Sequence, residues 1–211
     1  QGCGNHKVMT DEQVEVISKH YDVPEWTLVG TIYGTHSVAK AAKGDIKKIA
    51  KRKADQVLFS SDPLVKLGQA VTKRLSLSIL DSAREQLEKL SAGMEVMQGK
   101  PSQVALPLAY WRNPRVRPDK TRLMNPAKDG CGLLWYAPLI PAKASSMRAF
   151  IEMVRSITPK YNIEPMITFT NLSSISTDST IPIVFDLENP QAVKDAHACL
   201  QALFDEGLKQ G

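Results

Sequence analysis

The side chains of this chain that could do chemistry fall into two basic runs and a scatter of isolated carboxylates, hydroxyls, imidazoles and thiols. Lys40, Lys43, Lys47, Lys48 and Lys51 lie largely on one side of a helical pattern over 36–52. Such a stripe can bind phosphate, but no aromatic residues are interleaved with it, so the plain reading is a solvated helix face. The second run, Arg112, Arg115, Arg117, Lys120 and Arg122, sits in a stretch broken by Pro101, Pro107, Pro114, Pro118 and Pro126. It is read as a long irregular excursion over 100–129, and loops of that length in compact domains are usually functional or disordered. Tyr110 and Trp111 either pack this loop or serve a ligand or domain boundary.

No side chain comes with the partners catalysis needs. Asp129 could be an acid at a cleft, although Asp-Gly is first a turn signal. His6, His20, His36 and His197 are scattered, and His197, beside the apolar stripe of the last helix, is read as a partly buried structural residue. Ser173, Ser174 and Ser176 look like loop polarity rather than nucleophiles. The chain contains no Gly-x-Gly-x-x-Gly, Walker, His-Glu-x-x-His or Gly-x-Ser-x-Gly motif. Cys3, Cys131 and Cys199 share no ligand or disulfide spacing, so free thiols and no metal site are expected.

The elements that must position these residues follow from apolar spacing. With 211 residues, 43% hydrophobic and 23% charged, the chain suits a globular domain, and a net charge of +5 suits an anionic partner without requiring one. A short helix is expected over 11–20 after a Thr10 cap. Trp26–Thr35 is β-branched and aromatic and reads as a strand, followed by a helix with Val38, Ala42, Ile46 and Ile49 inward and a second strand over 54–59. Thus 21–60 is a strand-helix-strand segment. Residues 61–99 are helical, as one long helix or two, through Leu64, Leu67, Val71, Leu77, Leu80, Leu87, Leu90, Met94 and Met97.

Gly132–Ala142 is the longest apolar run and reads as a buried central strand, since it is about half the ~20 residues a membrane span needs. A helix over 145–157 follows, then extended segments at 163–172 and 180–187, then a helix over 191–208 with Val193, Ala196, Leu200, Leu203 and Phe204 inward. Thr168 and Thr170 share one face of the 163–172 strand; Ser173–Ser179 is a polar turn, and Pro182 pushes the next strand toward an edge. The fold class is α+β: an antiparallel sheet flanked by helices, with a ferredoxin-like strand-helix-strand-strand-helix unit over 130–211. The split βαβ arrangement normally adds one more strand, and the natural protein is expected to continue with it.

Trp26–Thr35, Ala109-Tyr110-Trp111-Arg112 and Asp129–Pro138, in that order and spacing, resemble the cap, or substrate, domain of the vanillyl-alcohol oxidase and p-cresol methylhydroxylase family. The similarity continues through Lys160–Ile163 and Thr168-Phe169 to Phe204-Asp205-Glu206-Gly207 and covers nearly the whole chain. The resemblance implies an α+β cap set over the ring of an FAD that a separate N-terminal domain holds. That domain is expected to be a partner absent from this chain, which makes residues 1–211 a fragment inactive alone. Small phenolic or alcohol substrates are implied, with a cytochrome or a second copy as further partners.

In covalent-flavin relatives a cap His or Tyr is joined to the ring. Those positions fall on Leu133 and Asn125, so the resemblance implies non-covalent FAD. It also implies cofactor-facing roles for Leu133, Asn125 and Arg112 and substrate-facing roles for Thr168, Trp135 and Thr170, Thr168 offering a hydroxyl rather than a base. The family's Tyr-Arg pair that stabilises a phenolate would come just past Gly211. The Arg-rich, aromatic-bearing loop beside a buried strand suits a domain meeting a second domain and an anionic cofactor. A non-enzymatic interaction module and a nucleic-acid-binding module are the rival readings. No membrane span is expected, and a cytoplasmic compartment is favoured over a periplasmic one.

Overall fold

In a computed structural model the chain is described over residues 7–74, 81–118 and 121–210. It divides into two compact units, one made of residues 1–23 and 105–211, the other of residues 24–104.

The first unit is a sheet with its two C-terminal helices on one side. Strands β1 (Cys131–Tyr136) and β2 (Leu139–Pro141) are followed by α5 (Ala144–Ile157), β3 (Thr168–Asn171), β4 (Ser176–Asp186) and α6 (Pro190–Gln210). β4 is the central strand and pairs antiparallel with β1, β2 and β3. This is the strand-helix-strand-strand-helix order expected, with β1 and β3 on opposite sides of β4. Helix α1 (Asp11–Tyr21) has the expected Thr10 cap, and Gln13 completes it as a capping box. The chain before it is tied to the unit by Val8 N–H donating to Asn162 Oδ1 (3.0 Å) and Met9 N–H to Glu164 Oε2 (3.2 Å).

The core lies between the sheet and helices α5 and α6. Ile181, Ile183 and Phe185 of β4 meet Tyr136 of β1, Phe150, Met153, Val154 and Ile157 of α5, and Ala196, Cys199 and Leu203 of α6. Two glycines are fixed by aromatic side chains: a Cβ on Gly132 would overlap the Phe185 ring, and one on Gly207 the Tyr136 hydroxyl. Such close approach is available only to residues without a side chain.

Four expectations about this unit are corrected. The run 132–142 is a flank of the sheet, not one buried central strand. It breaks at Ala137–Pro138, where the Pro138 carbonyl accepts from Ser179 N–H (3.1 Å) and Ser179 Oγ (2.7 Å), and the register against β4 is the same on both sides of the break. β4 takes the central place despite Pro182, because Ser179 and Leu187 turn their N–H groups toward the β1/β2 side. Alternation then points the donor that Pro182 lacks the other way, past Thr180, where β3 stops pairing. Ser176–Ser179 belong to β4 rather than to a turn. His197 is exposed, while the buried positions of that helix turn are Ala196 and Cys199, and burial pushes the Cys199 thiol up to about 12.

The second unit contains α2 (His36–Ala50), α3 (Asp62–Arg74) and α4 (Asp81–Met97). Helices α3 and α4 pack together, with Arg84 donating to the Thr72 carbonyl at 3.0 and 2.7 Å. Leu77 and Leu80 of the expected helical pattern lie outside the described residues, as does Lys120 of the arginine loop. The strands expected over 26–35 and 54–59 are irregular. Leu28 and Val29 are 94% and 82% exposed, and β-propensity gives no strand without a partner to take its backbone groups. Val38 and Ile49, expected inward, are 53% and 66% exposed, and α2 buries no residue.

Candidate functional site

The strand register sorts the sheet's side chains onto two faces, because residues directly opposite one another point the same way and successive ones alternate. Gly132, Leu134, Tyr136, Phe169, Ser179, Ile181, Ile183 and Phe185 belong to the face sealed by α5 and α6. On the other face Leu133 is opposite Val184, Trp135 opposite Pro182, Thr168 opposite Thr180, and Thr170 and Leu139 flank Asp178. This second face is open at one end. Trp135 and Leu139 are 51% and 65% exposed, Thr168 and Thr170 are exposed, and Asp178 and Thr180 are half-buried.

At its other end the same face is covered by the 105–129 loop. A 3₁₀ turn over Leu106–Tyr110 buries Ala109 and Tyr110 against Cys131. The Tyr110 hydroxyl donates to Asp129 Oδ2 at 2.5 Å, and Arg122 reaches the same oxygen at 3.0 Å. Burial and the Asp129 hydrogen bond push the Tyr110 phenol up to about 12, while Asp129 is held below its ordinary value by Tyr110 first and by Arg122. Buried Asn113 donates to the Asp129 carbonyl (2.6 Å) and accepts from the N–H groups of Arg115 and Val116. Arg115 grips Asp186 through two nitrogens at 3.0 and 2.5 Å and meets Glu188 at 3.0 Å. The loop is thus ordered by its own charges. A guanidinium already paired to carboxylates is a fastening rather than a vacant anion site.

Arg112, a cofactor-facing candidate, is 5% exposed, lies 3.7 Å from Glu164 and donates to the Asn162 carbonyl at 3.3 Å. Burial holds its pKa below the ordinary value, with Glu164 pulling the other way. Asn125 is exposed in a turn, its Oδ1 accepting from Lys128 N–H (3.1 Å), and is not part of the sheet. Leu133 is half-buried on the open face. Of the six sequence candidates, then, Trp135, Thr168, Thr170 and Leu133 share one face; Arg112, in the loop at the covered end, is paired with Glu164, and Asn125 lies outside the sheet. Sequence reasoning missed Asp178, because Ser173–Ser179 resembles a turn. The usable signal was alternation continued backward from Ile181 through Ser179 and Thr177, both fully buried.

The lysine helix behaves as a surface. His36, Lys40, Lys43 and Lys47 line a shallow cavity of about 350 Å³, and Lys43 and Lys47 stand 5.8 and 5.6 Å from the Phe59 ring centre. Among the described residues no three His, Cys, Asp or Glu side chains are grouped to hold a metal ion, and no helix is long and apolar enough to cross a membrane.

No family model matches the chain. It is 23% identical over 205 residues to the 4-cresol dehydrogenase (hydroxylating) flavoprotein subunit of Pseudomonas putida, a match covering 95% of this chain and 32% of that protein. It is 28% identical over 113 residues to the 1'-carboxy-chondrochloren decarboxylase of Chondromyces crocatus, covering 54% of this chain and 20% of that protein. The fold is shared with p-cresol methylhydroxylase in a substrate-bound crystal structure (TM-score 0.61, 21% identity, 98% of this chain and 33% of that one). It is shared also with 4-ethylphenol oxidase from Gulosibacter chungangensis in complex with isoeugenol (TM-score 0.68, 16% identity, 98% and 34%). The chain spans a fifth to a third of the length of these relatives. The resemblance to the vanillyl-alcohol oxidase and p-cresol methylhydroxylase family is thereby borne out, as is the α+β fold with its antiparallel sheet.

Proposed function

We propose, for a chain similar in sequence and fold to cresol- and alkylphenol-oxidising flavoproteins, that it forms the substrate-facing cap of an FAD-dependent oxidoreductase acting on a small phenol or alcohol. The observation that carries this reading is the asymmetry of the sheet. One face is sealed by α5 and α6, and the other leaves Trp135, Leu139, Thr168 and Thr170 exposed as an aromatic and hydroxyl-bearing floor. Concave sites for small ligands combine such apolar area with a few polar groups that fix orientation.

FAD would supply the hydride chemistry when bound. Trp135 and Leu139 would cover the substrate ring and exclude water, and Thr168 and Thr170 would orient its polar group by hydrogen bonding. None of the open-face residues named above is a His or Tyr, which favours a non-covalent flavin. Because Arg112 and Arg115 are engaged with Glu164 and Asp186, the flavin's phosphates would be held by an N-terminal FAD-binding domain of the same protein. A cytochrome partner or a second copy would belong to that larger assembly.

The protein from the full reading frame, purified and precipitated with acid, is expected to release yellow flavin into the supernatant. Anaerobic 4-methylphenol is expected to bleach the flavin absorbance before precipitation. Residues 1–211 alone should retain no flavin and turn over nothing. A colourless full-length protein, or one whose flavin no phenol or alcohol reduces, would overturn the reading.

A further inference from the structure

We propose that Asp178 determines specificity on the open sheet face: its carboxylate accepts a hydrogen bond from a hydroxyl on the ligand and turns away ligands that carry a carboxylate at the same end. The inference rests on the reading of that face as the floor for a small aromatic substrate, and it adds a residue and a selection rule.

The placement follows from register. Asp178 stands between Leu139 on one neighbouring strand and Thr170 on the other, and two residues along β4 comes Thr180, opposite Thr168. A further two residues along is Pro182, opposite Trp135. Asp178 and Trp135 therefore mark the two ends of a strip roughly 13 Å long, four strand residues at ~3.3 Å each. A single substituted ring laid over Thr180 is shorter than the strip and fits within it, leaving a contact distance at each end, one against Trp135 and the other at Asp178. The carboxylate is half-buried, and among the described residues its hydrogen bond is from the Thr180 hydroxyl to Oδ2 at 3.4 Å, leaving Oδ1 to accept from a ligand. Asp186, on the same face, is buried and gripped by Arg115, so Asp178 is the carboxylate of the exposed part.

An ionised carboxylate is an acceptor only. Opposite a hydroxyl it gains a charge-assisted hydrogen bond, whereas opposite another carboxylate it meets like charge with no donor between, and this repulsion selects as strongly as the attraction. The neighbouring Thr168 and Thr170 donate to either group, so they do not discriminate.

The test is calorimetric binding at pH 7 of benzyl alcohol and of benzoate, each with one polar end, to the full-length protein kept anaerobic with its flavin already reduced, so that the alcohol is not oxidised. The native protein is expected to prefer the alcohol by roughly tenfold or more. Asp178→Asn should shrink that preference to about twofold, chiefly by tightening the carboxylate. Asp178→Glu should keep it. Unchanged melting temperatures establish that the variants are folded, and Asp178→Ser replaces the Asn variant if it is not. If both ligands bind and Asp178→Asn leaves the preference as in the native protein, or the native protein prefers the carboxylate, the role of Asp178 is overturned while the face remains a site. If neither aromatic ligand binds, the reading of the face itself is overturned.

Discussion

Helices α2 and α5 have 15 and 14 residues and similar amphipathic spacing, yet α5 buries Phe150, Met153, Val154 and Ile157 and α2 buries nothing. The difference lies in what faces them. The apolar side of α5 meets a sheet whose strands are paired in register, and so it belongs to one continuous core with α6. Around α2 the flanking segments, rich in β-branched and aromatic residues, remain irregular and exposed. Spacing specifies which side of a helix is apolar; whether that side is buried depends on a partner element whose backbone hydrogen bonds are already satisfied.

The sharpest way to break this contrast is to remove volume from the sheet-and-helix core. Leu203 of α6 is fully buried among Tyr136, Ile183 and Cys199 in that cluster. Leu203→Ala should lower the unfolding free energy by about 3 kcal/mol, the lost transfer energy plus that of the cavity left behind. Urea unfolding followed by tryptophan fluorescence measures it. A loss under about 1 kcal/mol would mean that α6 is held more loosely than its burial implies.

Glycine 207 sharpens the same contrast from the opposite side. In an exposed helix Gly→Ala gains about 1 kcal/mol from propensity. Here the Tyr136 hydroxyl occupies the space where the methyl would go, so Gly207→Ala should destabilise by about 1–2 kcal/mol. In a Tyr136→Phe background the clash is gone and the sign should reverse. If Gly207→Ala stabilises the native protein, the packing of α6 against β1 is not what it is described to be.

These outcomes bear on how far the sequence could be read. Both C-terminal helices, the alternation of Ile181, Ile183 and Phe185, and the Thr10 cap were legible, because each is set within one turn or one strand. The place of β4 at the centre was not legible. Pro182 suggests an edge, and only the register shows that its missing donor faces a position without a partner. For the site, Trp135, Thr168, Thr170 and Leu133 came from resemblance, and their shared face could be known only from pairing across three strands. Asp178 was hidden by polar neighbours that imitate a turn, although Thr177 and Ser179 are buried by hydrogen bonds to Asn171 and Pro138. The pairing of Arg112 was not legible either, because the carboxylate beside it, Glu164, comes 52 positions later.

A smaller effect is expected where the loop is fastened over the sheet. Tyr110→Phe removes the hydrogen bond to Asp129 and should cost about 1 kcal/mol at neutral pH. The pH dependence gives it a signature. The phenol is raised from 10.0 to about 12 on folding, so its contribution is complete below pH 10 and is lost as pH rises from there toward 12. The Phe variant should lack this alkaline limb. Asp129 is shifted the other way, below its ordinary 3.8, so its contribution holds above that value and fades as pH falls through the folded pKa. Stability measured across pH 3–11 in both proteins separates the two arms, and identical alkaline limbs would sink the account of Tyr110.

The smallest change is expected in α2, and its smallness is the informative part. Ile49 is apolar, sits at helical spacing from Ile46 and was expected to face a core, but it is 66% exposed. Ile49→Ala removes little area from a protected environment and adds helix propensity, two terms of a few tenths of a kcal/mol that oppose each other. The urea midpoint of residues 1–211 should therefore move by less than about 0.5 kcal/mol equivalent. In the longer, FAD-domain-bearing protein proposed above the same substitution becomes a probe. A cost of about 2 kcal/mol there, with none in residues 1–211, would mean that another part of the protein covers α2 and completes the burial its spacing was written for.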